Sequence, residues 1–373
     1  MTRCQLVASP IPTYFWIRNR DFPSPLPTSR TVFGLSSYKS GTIAHACSMN
    51  HEAIRTGKRR AASSLARIAR DTLLLVRIGY VMYTYKNAEQ IAALTAELLR
   101  SGDTSAVAIH HDAKSGVLER FTDDPRVRIM PHPRAVRWAH WTQVQAIVET
   151  TQRMLAEHPT VDWIVLLTGQ DWPVVPIEEI GPALAATDVD ACIDAIDRKR
   201  AWGRDADRRY LYRWYQLPPW CARAAPMFEL VNFLPGITYL KFYGAARVDL
   251  LGLRSSALRD RRLVGGIEYF MMNRAAWSGV EHAYGDPAEQ RAFSRSLVPT
   301  EVFFATAVAD RGLRMGPSRR YARFVVGRAN PEPLEAADAA AAQSRHCLFA
   351  RKLEPATARE FIAAVGSAAP AAT

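Results

Sequence analysis

From about Val76 onward the chain alternates two hydrophobic rhythms. "VRIGYVMYTY" reads as a strand, and "NAEQIAALTAELLRSG" sets its apolar residues at helical spacing and ends in Gly102, a glycine placed to close a helix. "SAVAIHHDA" gives a second strand, finishing on His110, His111 and Asp112, and "RVRIMP" a short third one. "HWTQVQAIVETTQRMLAEHP" predicts a helix with Thr142 as its N-cap. In "DWIVLLTGQDWPV" (162 to 174) the apolar run from Trp163 to Leu167 has the pattern of a strand covered on both faces, and it stops abruptly on Gly-Gln-Asp-Trp-Pro. "PIEEIGPALAAT" predicts another helix and "DVDACIDAI" another strand. Strands alternating with helices imply an α/β fold with a mostly parallel sheet flanked by helices.

Composition narrows the class. At 373 residues and 48% hydrophobic, the chain can bury the core of one or two domains. Its net charge of +12 is uneven: residues 1–72 hold 11 Lys/Arg and 3 Asp/Glu, a net +8, which leaves +4 for the rest. That N-terminal stretch mixes Pro/Ser clusters with "GKRRAASSLARIAR" and has no apolar period, so it reads as a disordered basic extension, or a transit-like segment, outside the fold. Its charge also suits peripheral contact with a membrane surface. The five cysteines, Cys4, Cys47, Cys192, Cys221 and Cys347, contain no CxxC pair and are odd in number. They suggest neither a zinc site nor a complete disulfide framework, and they favour a reducing, cytoplasmic setting. No transmembrane segment is expected, since "TLLLV" (72 to 76) is cut short by Arg77 and no run approaches the ~20 residues a span needs.

Candidate chemistry gathers at strand ends. Two strands finish on a carboxylate, Asp112 and Asp171, and in open α/β sheets those ends form the ligand crevice. A nucleotide suits such carboxylates, although strand-end aspartates also form turns. GxGxxG and GxxxxGK[ST] are both absent, which removes support for a dinucleotide fingerprint or a P-loop. His110, His111 and Asp112 cannot easily converge on a metal, because adjacent strand residues point to opposite faces. The segment 197 to 226 is rich in Arg, Tyr and Trp, a mixture that fits a surface lid or nucleic-acid binding.

"VRWAHWTQVQA" (136 to 146) followed by "LLTGQDWPV" (166 to 174) resembles the paired motifs of the core-2/I-branching β-1,6-N-acetylglucosaminyltransferases and the related peptide O-xylosyltransferases, glycosyltransferase family 14. "AIHHDAKS" (108 to 115) is similar to the element that precedes them in that family. Four later stretches follow in the family's order: "GGIEYFMMNRAAW" (265 to 277), "VPTEVFFATAV" (298 to 308), "SRRYARF" (318 to 324) and "LFARKLE" (348 to 354). The resemblance runs from about Ile78 to Phe361.

The resemblance implies a GT-A-like fold and inverting transfer of a sugar, GlcNAc or xylose, from a UDP-sugar to an acceptor hydroxyl with β linkage, without a metal or other cofactor. It makes Glu301 the catalytic base, and it puts Arg320 and Lys352 on the diphosphate, where a fork and a point charge can replace a cation. Asp112, Tyr83, Thr84 and Asp171 would complete the donor side. Trp202, Arg209, Tyr210, Gly266 and Tyr269 would face the acceptor. The corresponding domain reading is residues 73–365, divided into a nucleotide-binding part (73–195) and an acceptor and catalytic part (196–365), with 366–373 as a flexible tail. Glycan or glycoside acceptors are the expected partners, and nucleic acid is not. Two alternatives stand beside this reading: a metal-dependent transferase using Asp188 and Asp190, and a non-catalytic carbohydrate- or nucleic-acid-binding protein. The family's Pro-Asp-Glu is Pro-Thr-Glu here, the stretch from Glu301 to Arg320 is short, and a secretory disulfide framework is missing, so acceptor identity does not carry over.

Overall fold

A computed structural model describes residues 76–102, 105–203, 205–243, 247–325 and 330–368. The N-terminal extension, Cys4 and Cys47, and the last five residues lie outside the described residues. The expected rhythm is realised in order: β1 (Ile78–Thr84), α1 (Ala88–Leu99), β2 (Ser105–His111), β3 (Val127–Ile129), α2 (Trp141–Glu157), β4 (Trp163–Thr168), β5 (Asp171–Pro173) and α3 (Ile177–Ala185). The strand read in "DVDACIDAI" is broken into two short pieces, β6 (Ala191–Cys192) and β7 (Ile196–Asp197). The second half supplies α4 (Arg198–Trp202), α5 (Asp205–Tyr210), β8 (Tyr212–Gln216), α6 (Ala225–Glu229), β9 (Ile237–Tyr243), β10 (Arg247–Arg254), β11 (Val264–Gly265) and β12 (Met271–Asn273). It closes with α7 (Arg274–Gly285), α8 (Pro287–Phe293), α9 (Thr300–Ala309), β13 (Met315–Gly316), β14 (Arg320–Ala322), α10 (Ala336–Ser344), β15 (Phe349–Arg351) and α11 (Pro355–Ala368). The last helix takes in residues 366–368, the start of the stretch read as a tail.

The central sheet has seven strands in the order β13-β6-β12-β4-β1-β2-β3. β1 pairs in parallel with β2 and β4, β2 with β3, and β13 with β6, while β12 runs antiparallel to both of its neighbours. This is a mixed α/β, GT-A-like architecture, mostly parallel and flanked by helices. Alternation along each central strand sorts side chains between two cores. Val81, Ala108, Ile164 and Leu166 face α2, α7 and α9 on one side. Tyr80, Met82, Val107, Ile109, Val165 and Leu167 face α1, α3 and the C-terminal elements on the other. β4 is buried at all six positions, which explains why its sequence shows no polar alternation.

One predicted cap is corrected. Helix α2 is capped by His140, whose side chain accepts from the Thr142 backbone N–H, while the Thr142 hydroxyl accepts from the Arg137 N–H at 2.9 Å. A small three-stranded sheet, β14-β15-β5, lies beside the main one and carries Asp171, Arg320 and Arg351. A second, β8-β10-β9, is antiparallel and continues from α5.

Candidate active site

The parallel strands β1, β2 and β4 end side by side, and their carboxyl ends form one edge of the site. The Thr84 hydroxyl lies 2.9 Å from Nδ1 of His111 and donates to the His110 carbonyl at 3.2 Å. Asp112 ties the loops together, accepting from the backbone N–H groups of Lys114 and Val136 at 3.1 Å each, with the Lys114 ammonium 3.6 Å away. Nε2 of His110 accepts from the Arg134 N–H at 2.9 Å, so this histidine serves the backbone. Burial lowers the pKa of both histidines against the opposing pull of Asp112. Tyr83 is half-buried, and its hydroxyl is pushed up, first by burial and then by Glu268 nearby.

Asp171 is fully enclosed. It accepts from the Thr168 N–H at 2.5 Å and hydroxyl at 2.8 Å, and pairs with Arg320 at 2.5 Å. The other arm of Arg320 donates to the Leu166 carbonyl at 2.5 Å. Burial pulls the Arg320 pKa down, and Asp171 opposes that shift. Arg320, expected from sequence on the diphosphate, is placed with its guanidinium interior and paired with Asp171, and the two residues tie the end of β4 to β14.

The accessible cations lie elsewhere. Glu354 gathers the ammonium groups of Lys352 at 3.1 Å and Lys86 at 3.2 Å, together with the Gln170 amide at 2.7 Å. The two lysines keep 25% and 34% of their side chains exposed, so they can turn towards an anion in the cleft. Arg351 is drawn in: its guanidinium and that of Arg320 each lie 4.4 Å from the centroid of the Tyr269 ring.

Glu301 stands in the first turn of α9, where the helix dipole favours an acid. Its carboxylate receives Arg209 at 2.5 Å. The Arg209 side chain is 5% exposed and that of Glu301 19%, so Glu301 is the less enclosed of the two. Burial raises the Glu301 pKa; Arg209 and Trp202 pull it back, while Glu268 adds to the rise. The Arg209 guanidinium lies 5.2 Å over the Trp202 ring, and Trp202 meets Tyr210 edge-on at 5.2 Å. Trp202, Arg209 and Tyr210, three of the five residues assigned from sequence to an acceptor, thus converge near Glu301.

Thr300 does not cap α9. Its hydroxyl donates to Glu268 at 2.7 Å, and the Gly266 N–H donates to the Glu301 carbonyl at 3.0 Å. A Cβ on Gly265 would fall 2.0 Å from that carbonyl oxygen, so the glycine turn and the helix start are in backbone contact. Glu268 is close enough to Tyr83, Glu301 and Arg320 to influence the titration of each. Sequence reasoning passed over Glu268, Lys86, Gln170 and Glu354; the only signal for Glu268 is its place directly after the Gly-Gly turn.

Asp190 of the Asp188/Asp190 alternative is engaged by the Arg314 N–H and the Asn273 amide at 3.0 Å each, and Asp188 is exposed. Among the described residues, no group of three or more His, Cys, Asp or Glu side chains is arranged to hold a metal ion.

Residues 78–215 match the model of the family described as Core-2/I-Branching enzyme. The likeness read from the motifs is therefore shown over β1 to β8. Comparison with curated proteins gave no match. That family is one of glycosyltransferases.

Proposed function

We propose that this chain, similar to core-2/I-branching enzymes over residues 78–215, is an inverting, metal-independent glycosyltransferase that moves a sugar of the GlcNAc or xylose class from a UDP-sugar to an acceptor hydroxyl. The observation that carries the proposal is a glutamate in the first turn of a helix, held by a buried arginine and less enclosed than it, and the reading adds to it the two half-buried lysines gathered on Glu354. In this reading Glu301 takes the proton of the acceptor hydroxyl as its oxygen bonds to the anomeric carbon. The bond from that carbon to the diphosphate oxygen breaks, and UDP leaves with the electron pair. Lys352 and Lys86 meet the developing negative charge, and Arg351 adds a third cation on Tyr269. Tyr83 and the loop held by Asp112 are assigned to the uridine. The free, buried thiols of Cys192, Cys221 and Cys347 support a cytoplasmic setting.

Glu301→Gln tests the proposal. It keeps size and hydrogen bonding but removes the base, and it should lower kcat about 10²- to 10⁴-fold while UDP still binds. Transfer at the unchanged rate would remove Glu301 from the role.

A further inference from the structure

A row of arginines follows strand β8. The strand pairs with β10 along one edge, and on the other its Trp214 N–H donates to the Arg295 carbonyl at 2.7 Å. At the end of β8 the Arg137 guanidinium reaches the Gln216 side-chain oxygen at 3.4 Å. One residue back, the Arg295 guanidinium lies 4.8 Å over the Tyr215 ring, and two residues further back Arg213 donates to the Arg291 carbonyl at 3.5 Å. These anchor points, positions 213 to 216 of an extended strand, cover about 10 Å. Arg137, Arg291 and Arg295 are exposed and Arg213 is half-buried, and none of the four pairs with a carboxylate among the described residues.

The acids lie elsewhere. The three segments that carry the row, 131–148, 208–228 and 290–300, contain no Asp or Glu. On the neighbouring elements Asp249 is buried against the Tyr239 hydroxyl at 2.6 Å, Glu289 is paired with Arg261 and Asp286 caps α8, while Asp207 on α5 stays exposed.

The row is also tied by backbone to the proposed base. β8 follows Arg209 and Tyr210 closely, and the segment bearing Arg291 and Arg295 continues to Leu297, whose N–H donates to the Arg209 carbonyl at 3.1 Å. Val298 comes next; its N–H donates to the Ala139 carbonyl at 3.3 Å and its carbonyl accepts from the Glu301 N–H at 3.2 Å. Trp138, 44% exposed and next to Arg137, lines a small cleft together with Gln216 and Ser294. An aromatic face for a ring, an amide and a hydroxyl for its hydroxyl groups, and guanidinium forks for oxyanions are what an acidic sugar chain engages.

We infer that Arg137, Arg213, Arg291 and Arg295 bind an acceptor saccharide that carries carboxylate or sulfate groups. The acidity of the ligand follows from the row, and its being the acceptor rests on the transferase reading.

The test is isothermal titration of the full chain with oligogalacturonate and with a heparin-derived oligosaccharide. A maltooligosaccharide serves as the neutral control, and oligo-dT and oligoglutamate of matched charge as the other polyanions. At least one acidic saccharide should bind more tightly than every control, and its affinity should fall as salt rises. R291E/R295E should weaken it about tenfold or more, and R291K/R295K, which keeps the charge, should stay within a few-fold of wild type. Matching thermal melts will establish that the variants are folded. Absence of binding by both acidic saccharides, affinity independent of salt, equal affinity in R291E/R295E, or tighter binding of oligo-dT or oligoglutamate would each overturn the inference. Binding of an acidic saccharide that depends on the row, in a wild-type chain whose melting does not respond to UDP, would overturn the acceptor role, because it is then the transferase reading that fails.

Discussion

At the level of single residues, the central pair is Glu301 and Arg209. A general base must be ionised, and burial works against that by raising the Glu301 pKa, while Arg209 works for it. Removing the cation leaves the burial uncompensated, so the carboxyl should gain its proton at higher pH. The acid limb of the kcat/KM profile should therefore move to higher pH in Arg209→Met and stay near its wild-type place in Arg209→Lys, with activity at neutral pH falling about tenfold or more in the methionine variant. An arginine that only filled space would lower activity evenly and leave the limb where it was. Measuring the full pH profile, rather than one rate, separates the two roles. The lysine also asks whether the single short contact to Glu301 suffices or the planar group over Trp202 is needed as well.

At the level of elements, the start of each site helix is set by contacts that a propensity argument does not foresee. α2 begins on a histidine whose Nδ1 faces the Thr142 N–H at 3.2 Å and whose Nε2 faces the Arg137 guanidinium at 2.7 Å. A neutral ring has one lone pair to offer these donors, and a protonated ring has none. Burial, then Arg137 and Arg295, lower the His140 pKa to about 4. The unfolded chain therefore takes up the proton first, and this residue's contribution to stability, fully present above pH ~6.5, should be lost as pH falls towards 4. Chemical unfolding at several pH values should show that loss in the wild type and a smaller one in His140→Asn, which keeps a capping oxygen without the titration. For α9 the controlling contact is backbone on backbone. Gly265→Ala must push the Glu301 carbonyl away, so the melting temperature should drop and kcat should fall on the order of 10²-fold through a displaced base.

These same elements show what was legible in sequence. The strands and helices of the first half could be read because their apolar periods are long and unbroken, and Trp163 to Leu167 could be read as covered on both faces because no polar residue interrupts it. β6 and β7 read as one strand because the apolar run "ACIDAI" does not reveal that Asp194 turns in to accept from the Ser318 N–H at 3.1 Å. The place of Glu301 in the first turn of a helix could be read from Pro299 before it. The inward turn of Arg320 could not, since it depends on Asp171, 149 residues away in the chain, and sequence alone does not pair the two. Glu268 stayed hidden for a similar reason: it matters through Thr300 and Tyr83, which fold onto it from separate parts of the chain.

For the whole molecule, the proposed cleft is assembled from distant segments: strand ends near residues 84, 112 and 170, a glycine turn at 265, a helix at 300 and lysines at 86 and 352. A ligand that bridges such parts binds the folded chain and not the unfolded one, so it must raise apparent stability, by about 2.7 kcal/mol at a hundredfold excess over its Kd. With UDP, UDP-GlcNAc and UDP-xylose tested in EDTA by thermal unfolding, the proposal expects a rise of several degrees with UDP itself and with at least one of the sugars. The rise should shrink in Lys352→Ala, because the diphosphate loses a cation, and should persist in Glu301→Gln, because the base acts on the acceptor and contributes nothing to holding UDP. A rise that needs Mn²⁺ would instead point to carboxylates such as Asp188 and Asp190, whose arrangement would then have to change on binding. A rise abolished equally by both substitutions would mean that Glu301 supports the donor side of the cleft, and the base would have to be sought among its neighbours, with Glu268 first.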